Sequence, residues 1–201
     1  CQFEPHNLTA MRMLRRNELG DLRIVSADIV RATDPSDPAD QWRLNRALAG
    51  SGSLFDIGIY ALNAARFLTN EEPVEVRAQL FAAPGDPRFT EVEDVVAWQM
   101  RFASGTLFHG STSYSYAFTN SIQVIGTRGT MTFDPSMEYH AQRLRVRAGG
   151  QDRVMQWSPI DQFAREIDHF CMAITDNIPV VADGEEGLQD VRLMLAILEA
   201  G

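Results

Sequence analysis

The chain has 201 residues, of which 45% are apolar and 22% charged, and a formal net charge of −9. That is the composition of an ordinary soluble globule, long enough to bury a core as one large domain or two small ones. The acidic balance argues against nucleic acid and anionic lipid, which both demand a basic face, and no apolar run reaches membrane-spanning length.

Leu8, Met11, Leu14 and Leu19 recur at roughly helical spacing after Pro5, with Gly20 as a C-terminal stop. Leu22 to Arg31 is rich in β-branched residues and predicts a strand. Thr33 to Ala39 predicts a loop, and Gln41 to Ala49 a short helix leading to Gly50. A second long helix is expected from Ser53 to Phe67, burying Ile57, Ala61, Ala64 and Leu68. The period then changes to two. Strands are expected at Val74–Ala82, Val92–Phe102, Gly105–Tyr116, Ser121–Ile125, Thr130–Phe133, Arg143–Ala148 and Arg153–Trp157, separated by glycine-containing turns. Such short links favour antiparallel neighbours.

Trp98, Met100 and Phe102 share one strand face and Gln99 and Arg101 the other, as in a sheet covered on one side only. Two helices close the chain. Ser158-Pro159 with Asp161 predicts a capped start, and Phe163, Ile167, Phe170 and Ile174 form the stripe that follows. Leu188, Val191, Leu195 and Leu198 form the stripe of the last helix, opened by Glu185-Glu186. The expected class is α+β: a mostly antiparallel sheet with helices packed on one face.

Few residues offer chemistry. Asp56 and Tyr60 stand four apart, which on a helix places a carboxylate beside a phenol on one face. Two readings stay open on spacing alone: a Ser53-x-x-Asp56 capping box with Tyr60 in the core, or an acid–base pair. Gly50-x-Gly52 lacks the strand and third glycine of a dinucleotide fingerprint. Glu166-x-x-His169 resembles half of a di-metal site without a second copy, so a solvated or capping pair is expected and no metal. His6, His109 and His140 show no ligand spacing. Glu93-Asp94 reads as a solvated pair at a strand start. Trp42-Arg43 joins a planar cation to an aromatic ring in a loop, a surface for stacking on an aromatic or anionic ligand. Cys1 and Cys171 give neither a disulfide framework nor a zinc spacing, and a free, buried Cys171 is expected.

Six stretches carry a resemblance: Phe3-Glu-Pro5, Asp40-Gln-Trp-Arg-Leu44, Gly52-Ser-Leu-Phe-Asp-Ile-Gly-Ile-Tyr60, Glu72-Pro-Val-Glu-Val-Arg77, Val92-Glu-Asp94 with Trp98-Gln-Met-Arg-Phe102, and Gly184-Glu-Glu-Gly-Leu-Gln-Asp-Val-Arg192. In this order they are similar to the C-terminal domain of the glucose–fructose oxidoreductase/inositol dehydrogenase (Gfo/Idh/MocA) family, nearest its glucose–fructose branch. The resemblance implies a large mixed, predominantly antiparallel sheet behind an N-terminal Rossmann domain. It also implies hydride transfer between NADP or NAD and a sugar or polyol.

By motif, Asp56 and Tyr60 fall on the family's catalytic acid pair, and Trp42 and Arg43 on the loop that approaches the cofactor. Tyr116 and Gln2 are placed near the sugar, although many relatives carry a basic residue or histidine at the position of Gln2. A phenol within reach of the substrate hydroxyl takes or relays its proton while the carboxylate orients the sugar. The chain starts at Cys1 without a methionine, and the Rossmann domain and Glu-Lys-Pro segment are expected to precede it. Residues 1–201 are accordingly expected to be a substrate-binding and oligomerisation domain, inactive and without bound cofactor on its own. Self-association through the exposed sheet face is implied as well. The rival expectation is a free-standing, non-catalytic module that self-associates or binds carbohydrate through its Ser/Tyr-rich strand.

Overall fold

The computed structural model describes residues 2–201, and Cys1 lies outside them. The period-two segments become eight strands: β1 Leu22–Val30, β2 Pro73–Phe81, β3 Val95–Phe102, β4 Leu107–Ser113, β5 Thr119–Gly126, β6 Gly129–Phe133, β7 Arg143–Ala148 and β8 Gln151–Gln156. They form one sheet in the order β2-β3-β4-β1-β5-β6-β7-β8. Every neighbouring pair is antiparallel except β1 and β4, which run parallel with Ile24 opposite Leu107 and Val30 opposite Ser113. The parallel pair is possible because the chain leaves β1 through a long helical excursion before returning at the edge strand β2. Gly149 and Gly150 both take positive φ, 58° and 75°, which a two-residue link between twisted strands requires.

Trp98, Met100 and Phe102 are buried, while Gln99 and Arg101 point away from the core. Phe108 on β4, Val124 on β5, Met131 and Phe133 on β6, and Leu144 and Val146 on β7 continue the apolar face across the sheet. Helices α1 (Pro5–Arg15), α4 (Ile59–Thr69) and α6 (Gly184–Glu199) cover it, with Ala10, Leu62, Ala65 and Ile197 fully buried. The α+β class, the mixed and mainly antiparallel sheet and the one-sided helical cover therefore hold.

Four local expectations do not. The helix α5 (Gln162–Asp176) is capped by Asp161, whose Oδ1 accepts from the Ala164 amide at 3.0 Å, and not by Ser158. Its stripe of Phe163, Ile167, Phe170 and Ile174 is exposed, and only Ala173 is buried. Cys171, expected to be buried, is free and exposed on that helix. In α6 the residues that enter the core are Leu193, Met194 and Ile197, while Leu188, Val191 and Leu195 face outward. Amphipathic spacing tells which residues share a face, not which face the rest of the chain covers.

Candidate active site

Between β1 and α4 the chain is built from short capped turns. Asp37 caps α2 (Pro38–Gln41), a 3₁₀ turn spans Trp42–Leu44, and Asn45 caps α3 (Arg46–Ala49). The segment expected as one short helix is thus three pieces. They bring Arg43, with Asp40 behind it, to Asp56 at the mouth of α4. The Arg43 guanidinium carbon lies 4.5 Å from the centroid of the exposed Trp42 ring, within cation–π range.

Asp56 receives this cluster. Its Oδ2 accepts from Arg43 Nε at 2.9 Å and from the Tyr114 hydroxyl at 3.1 Å, with Arg31 Nη1 at 3.7 Å. Among the described residues no donor reaches Oδ1. Asp40, buried, accepts from Arg31 Nη2, from Arg43 Nη1 at 3.3 Å and from the Asp34 amide at 3.1 Å. Two carboxylates and two guanidiniums therefore alternate, so each anion that loses water gains a fixed cation. Burial first, and the Asp56 charge second, push the Tyr114 phenol well above its ordinary range, so it stays a donor to Asp56.

The backbone under Asp56 is a single π turn, Leu54–Gly58, which runs into α4. Such turns carry one extra residue and re-aim side chains, which is why they concentrate at functional sites. The capping box that spacing alone left open here does not form. Ser53 already has helical backbone angles, and its Oγ donates to the Asp94 carbonyl at 2.6 Å. The anion at the turn's N-terminus is Glu93 instead. Its Oε1 accepts from the amides of Gly52 at 2.9 Å and Leu54 at 3.4 Å, and both carboxylate oxygens accept from Ser51 Oγ at 2.8 Å.

Asp94 does the same for the end of β4. It accepts from Ser113 Oγ at 2.9 Å, the Tyr114 amide at 3.0 Å and Ser115 Oγ. Glu93 and Asp94, expected as solvated, are 7% and 1% exposed and hold both walls of the site.

Tyr60 lies one helical turn beyond Asp56 and is 42% exposed. Partial burial, then Tyr139, then the Asp56 charge raise its phenol above the ordinary value, so it is protonated at neutral pH. It lines a cavity of about 200 Å³ with Gln2, Asn63, Phe67, Met137 and Asp190. The Gln2 amide donates to Glu186 at 3.2 Å, and Asn63 donates to Glu186 at 2.6 Å and Asp190 at 2.9 Å.

The fold thus gathers Trp42, Arg43 and Asp56, and sets Tyr60 and Gln2 around one cavity. Tyr116 belongs to another group: its hydroxyl shares a 2.7 Å hydrogen bond with Ser111 Oγ, which donates to Asp28 at 2.5 Å, on the open face of the sheet. His169 is structural, its Nε2 accepting from the Val181 amide at 3.0 Å and its ring 5.4 Å from Phe3. Among the described residues no group of three or more His, Cys, Asp or Glu is placed to hold a metal ion, and no helix is long and apolar enough to cross a membrane.

Arg31, Asp40, Tyr114, Glu93 and Asp94 were not singled out by sequence as parts of one site. Asp40 and Glu93-Asp94 sit inside quoted motifs; Asp40 pairs locally with Arg31 and Arg43, whereas Glu93 and Asp94 find their partners 41 and 20 residues away.

A family model described as the GFO/IDH/MocA C-terminal domain matches residues 7–132. The chain is 32% identical over 166 residues to D-xylose 1-dehydrogenase (NADP(+)) of Haloarcula marismortui, a match covering 82% of this chain and 45% of that protein. It is 26% identical over 203 residues to inositol 2-dehydrogenase of Rhizobium meliloti strain 1021, covering 96% and 58%. Among solved structures it superposes with a TM-score of 0.91 and 40% identity on aldose-aldose oxidoreductase from Caulobacter crescentus complexed with glycerol, covering 99% of this chain and 59% of that one. The chain spans about half the length of the curated relatives it matches.

Proposed function

The chain belongs to the GFO/IDH/MocA family, and from that premise we propose that it is the substrate-side domain of an NAD(P)-dependent oxidoreductase acting on a sugar or polyol. The observation that carries the reading is the pairing of Tyr60, a protonated phenol on a cavity rim, with Asp56, a carboxylate held on one oxygen by Arg43 and Tyr114.

The residues fit the reacting end of a nicotinamide dinucleotide and not its phosphates. The exposed Trp42 ring with Arg43 stacked on it offers a planar, cationic edge beside Asp56, and these two residues would hold the ring. The glycine-rich turn before α4 has its Gly52 amide already taken by Glu93, so it cannot cradle a pyrophosphate. In this reading the phosphates are held by a dinucleotide-binding domain in the half of the protein that the relatives have beyond this match, and residues 1–201 alone neither turn over nor retain the cofactor.

When bound, the nicotinamide supplies the hydride exchange. The chain's own residues handle the proton. Tyr60 hydrogen-bonds the reacting hydroxyl or carbonyl oxygen. It donates its proton to that oxygen during reduction, and during oxidation it takes the substrate's proton while passing its own to solvent. Asp56 Oδ1, opposite the face occupied by Arg43 and Tyr114, accepts a neighbouring sugar hydroxyl and fixes the ring. Gln2, on the same cavity as Tyr60, joins the substrate contacts. Tyr116, engaged with Ser111, is left out of them.

The open sheet face, with exposed Leu107 on β4 and Val154 on β8, supports self-association through that surface. Light scattering is expected to show at least a dimer, and a monomer at high concentration counts against it.

Nicotinamide absorbance in the whole encoded polypeptide, assayed across aldoses and polyols, tests the function. Sugar-dependent turnover is expected, with Tyr60→Phe lowering kcat by about 10²–10⁴-fold. No turnover with any of them, or full activity in Tyr60→Phe, would overturn the reading. Calorimetry of residues 1–201 with NADP(H) tests the division of labour, which micromolar binding would refute.

A further inference from the structure

The polar end of the Tyr60 cavity is made of acceptors. Asn63, three residues beyond Tyr60 on α4, lines the cavity with Gln2 and Asp190. Its Nδ2 donates both protons to carboxylates, to Glu186 Oε1 at 2.6 Å and to Asp190 Oδ2 at 2.9 Å. An ionised carboxylate only accepts, so the amide cannot turn over without setting its oxygen against two anions. Asn63 Oδ1 is thereby held as an acceptor, and no donor among the described residues reaches it. Gln2 is oriented by the same carboxylate, its Nε2 donating to Glu186 Oε1 at 3.2 Å, and its own oxygen is likewise without a donor.

No cation offsets this wall from inside the cavity. Arg66 spends its N–H groups on Glu72 and Asp190 and does not line the space. Among the described residues that do line it there is no Lys, Arg or His. The remaining wall is apolar, with Ile59, Phe67, Ile122 and Met137.

We infer that Asn63 sets the substrate class of this cavity: a sugar or polyol without an anionic group, whose hydroxyls donate to the Asn63 and Gln2 oxygens. The inference takes the reaction itself from the redox reading above. A hydroxyl brings the donor that both oxygens lack. A phosphate or carboxylate brings only acceptors, and sets a further negative charge against Asp190 and Glu186 with no cation to receive it. The apolar wall suits the C–H face of a sugar ring. At about 200 Å³ the cavity is also smaller than the roughly 300–1,000 Å³ that drug-sized ligands occupy, which suits one ring and not a sugar joined to a nucleotide.

Nicotinamide absorbance in the whole encoded polypeptide tests this. The aldose with the highest kcat/KM is compared with the same sugar bearing a terminal carboxylate, a terminal phosphate or a 2-amino group. Both anions are expected to lose at least about tenfold in kcat/KM, because like charges across a desolvated contact repel. The 2-amino form, a cation on the same ring, should lose less than either anion. Asn63→Leu should raise the KM for the neutral aldose about tenfold, the worth of one hydrogen bond, with kcat within about twofold of wild type. Glu186→Gln, which keeps the shape and removes the charge, should narrow the discrimination against the carboxylate. The wild-type comparison needs no variant, so the test stands even where Asn63→Leu fails to fold.

An anionic sugar turned over within tenfold of the neutral one would overturn the inference and leave the redox reading standing. An unchanged KM in folded Asn63→Leu would do the same. Rejection of the 2-amino form as strong as that of the anions would make size the limit and overturn the role of the acceptor wall. No turnover with any sugar would overturn the redox reading and the substrate class with it.

Discussion

Glu93 caps the backbone of Gly52 from 41 residues away: its Oε1 accepts the Gly52 amide at 2.9 Å, inside a site where Glu93 is only 7% exposed. The same carboxylate takes Ser51 and Leu54, so it carries the N-terminal end of the π turn that aims Asp56. Removing it strands several buried donors at once. Glu93→Ala is expected to cost about 3 kcal/mol, since one lost charge-assisted bond is worth about 1.5–3 kcal/mol and the stranded donors add to it. Glu93→Gln, which keeps an acceptor, should cost less than half of that. Urea unfolding measures both, and a loss below about 1 kcal/mol for the alanine variant would rule out the cap.

That contact also marks the boundary of what the sequence reveals. The alternation Trp98, Met100, Phe102 against Gln99, Arg101 is local, and the sheet confirmed it residue for residue. The Asp56–Tyr60 spacing is equally local, but a π turn intervenes, and the structure holds Asp56 against Arg43 and Tyr114 while Tyr60 lines a cavity. What failed was long-range. Glu93-Asp94 looks solvated until the Gly52 and Tyr114 amides arrive from other elements, and Ser53 looks like a cap until Glu93 supplies a better anion. The parallel pairing of β1 with β4 is hidden for the same reason: neighbouring strands in sequence say nothing about a strand that returns to the middle of the sheet. The stripe of α5 has the right period but stays largely exposed.

Tyr114 tests whether Asp56 is positioned or merely present. Its hydroxyl donates to Asp56 Oδ2 at 3.1 Å and to the Gly52 carbonyl at 3.4 Å, from a ring with no exposed surface. Tyr114→Phe keeps the ring and deletes both bonds, so stability should fall by only about 1–2 kcal/mol. With Arg43 alone orienting the carboxylate, kcat is expected to drop about tenfold while the dinucleotide KM stays near wild type. A purely structural role predicts no such split. Equal losses in kcat and dinucleotide affinity would sink the positioning role.

His6 gives the fold a pH limit. It is fully buried, donates from Nε2–H to the Ser136 carbonyl at 3.1 Å, and packs edge-on to Phe133. Burial lowers its pKa from 6.5 to about 4. The unfolded chain therefore binds a proton below pH 6.5 that the folded chain refuses until about pH 4. The stabilising contribution is complete above the unfolded value, shrinks as pH falls through this window, and is gone below the folded one. Its full size is about 3 kcal/mol. Because His6 anchors the segment that carries Met137 and Tyr139, the loosening should begin at the cavity wall. Urea titrations across the window should show the slope in wild type and a flatter profile in His6→Leu. An equal slope in both would remove His6 as its source.

Arg66 ties α4 to α6. Its side chain is 8% exposed, pairs with the equally buried Asp190 of α6, and forks onto Glu72 at 2.7 Å just beyond the C-terminus of α4. Asn63, one turn earlier on α4, also donates to Asp190, at 2.9 Å, so a single carboxylate is shared between the cavity wall and the ion pair. Breaking such a pair from one side is worse than deleting it, because the partner charge stays buried without compensation. Arg66→Met should therefore cost about 3–5 kcal/mol, and Asp190→Asn a similar amount. The double variant, in which neither charge remains, should recover part of the sum. Additive losses in a double-mutant cycle would show that Arg66 and Asp190 do not act as a unit, and that α6 holds the wall of the cavity by apolar packing alone.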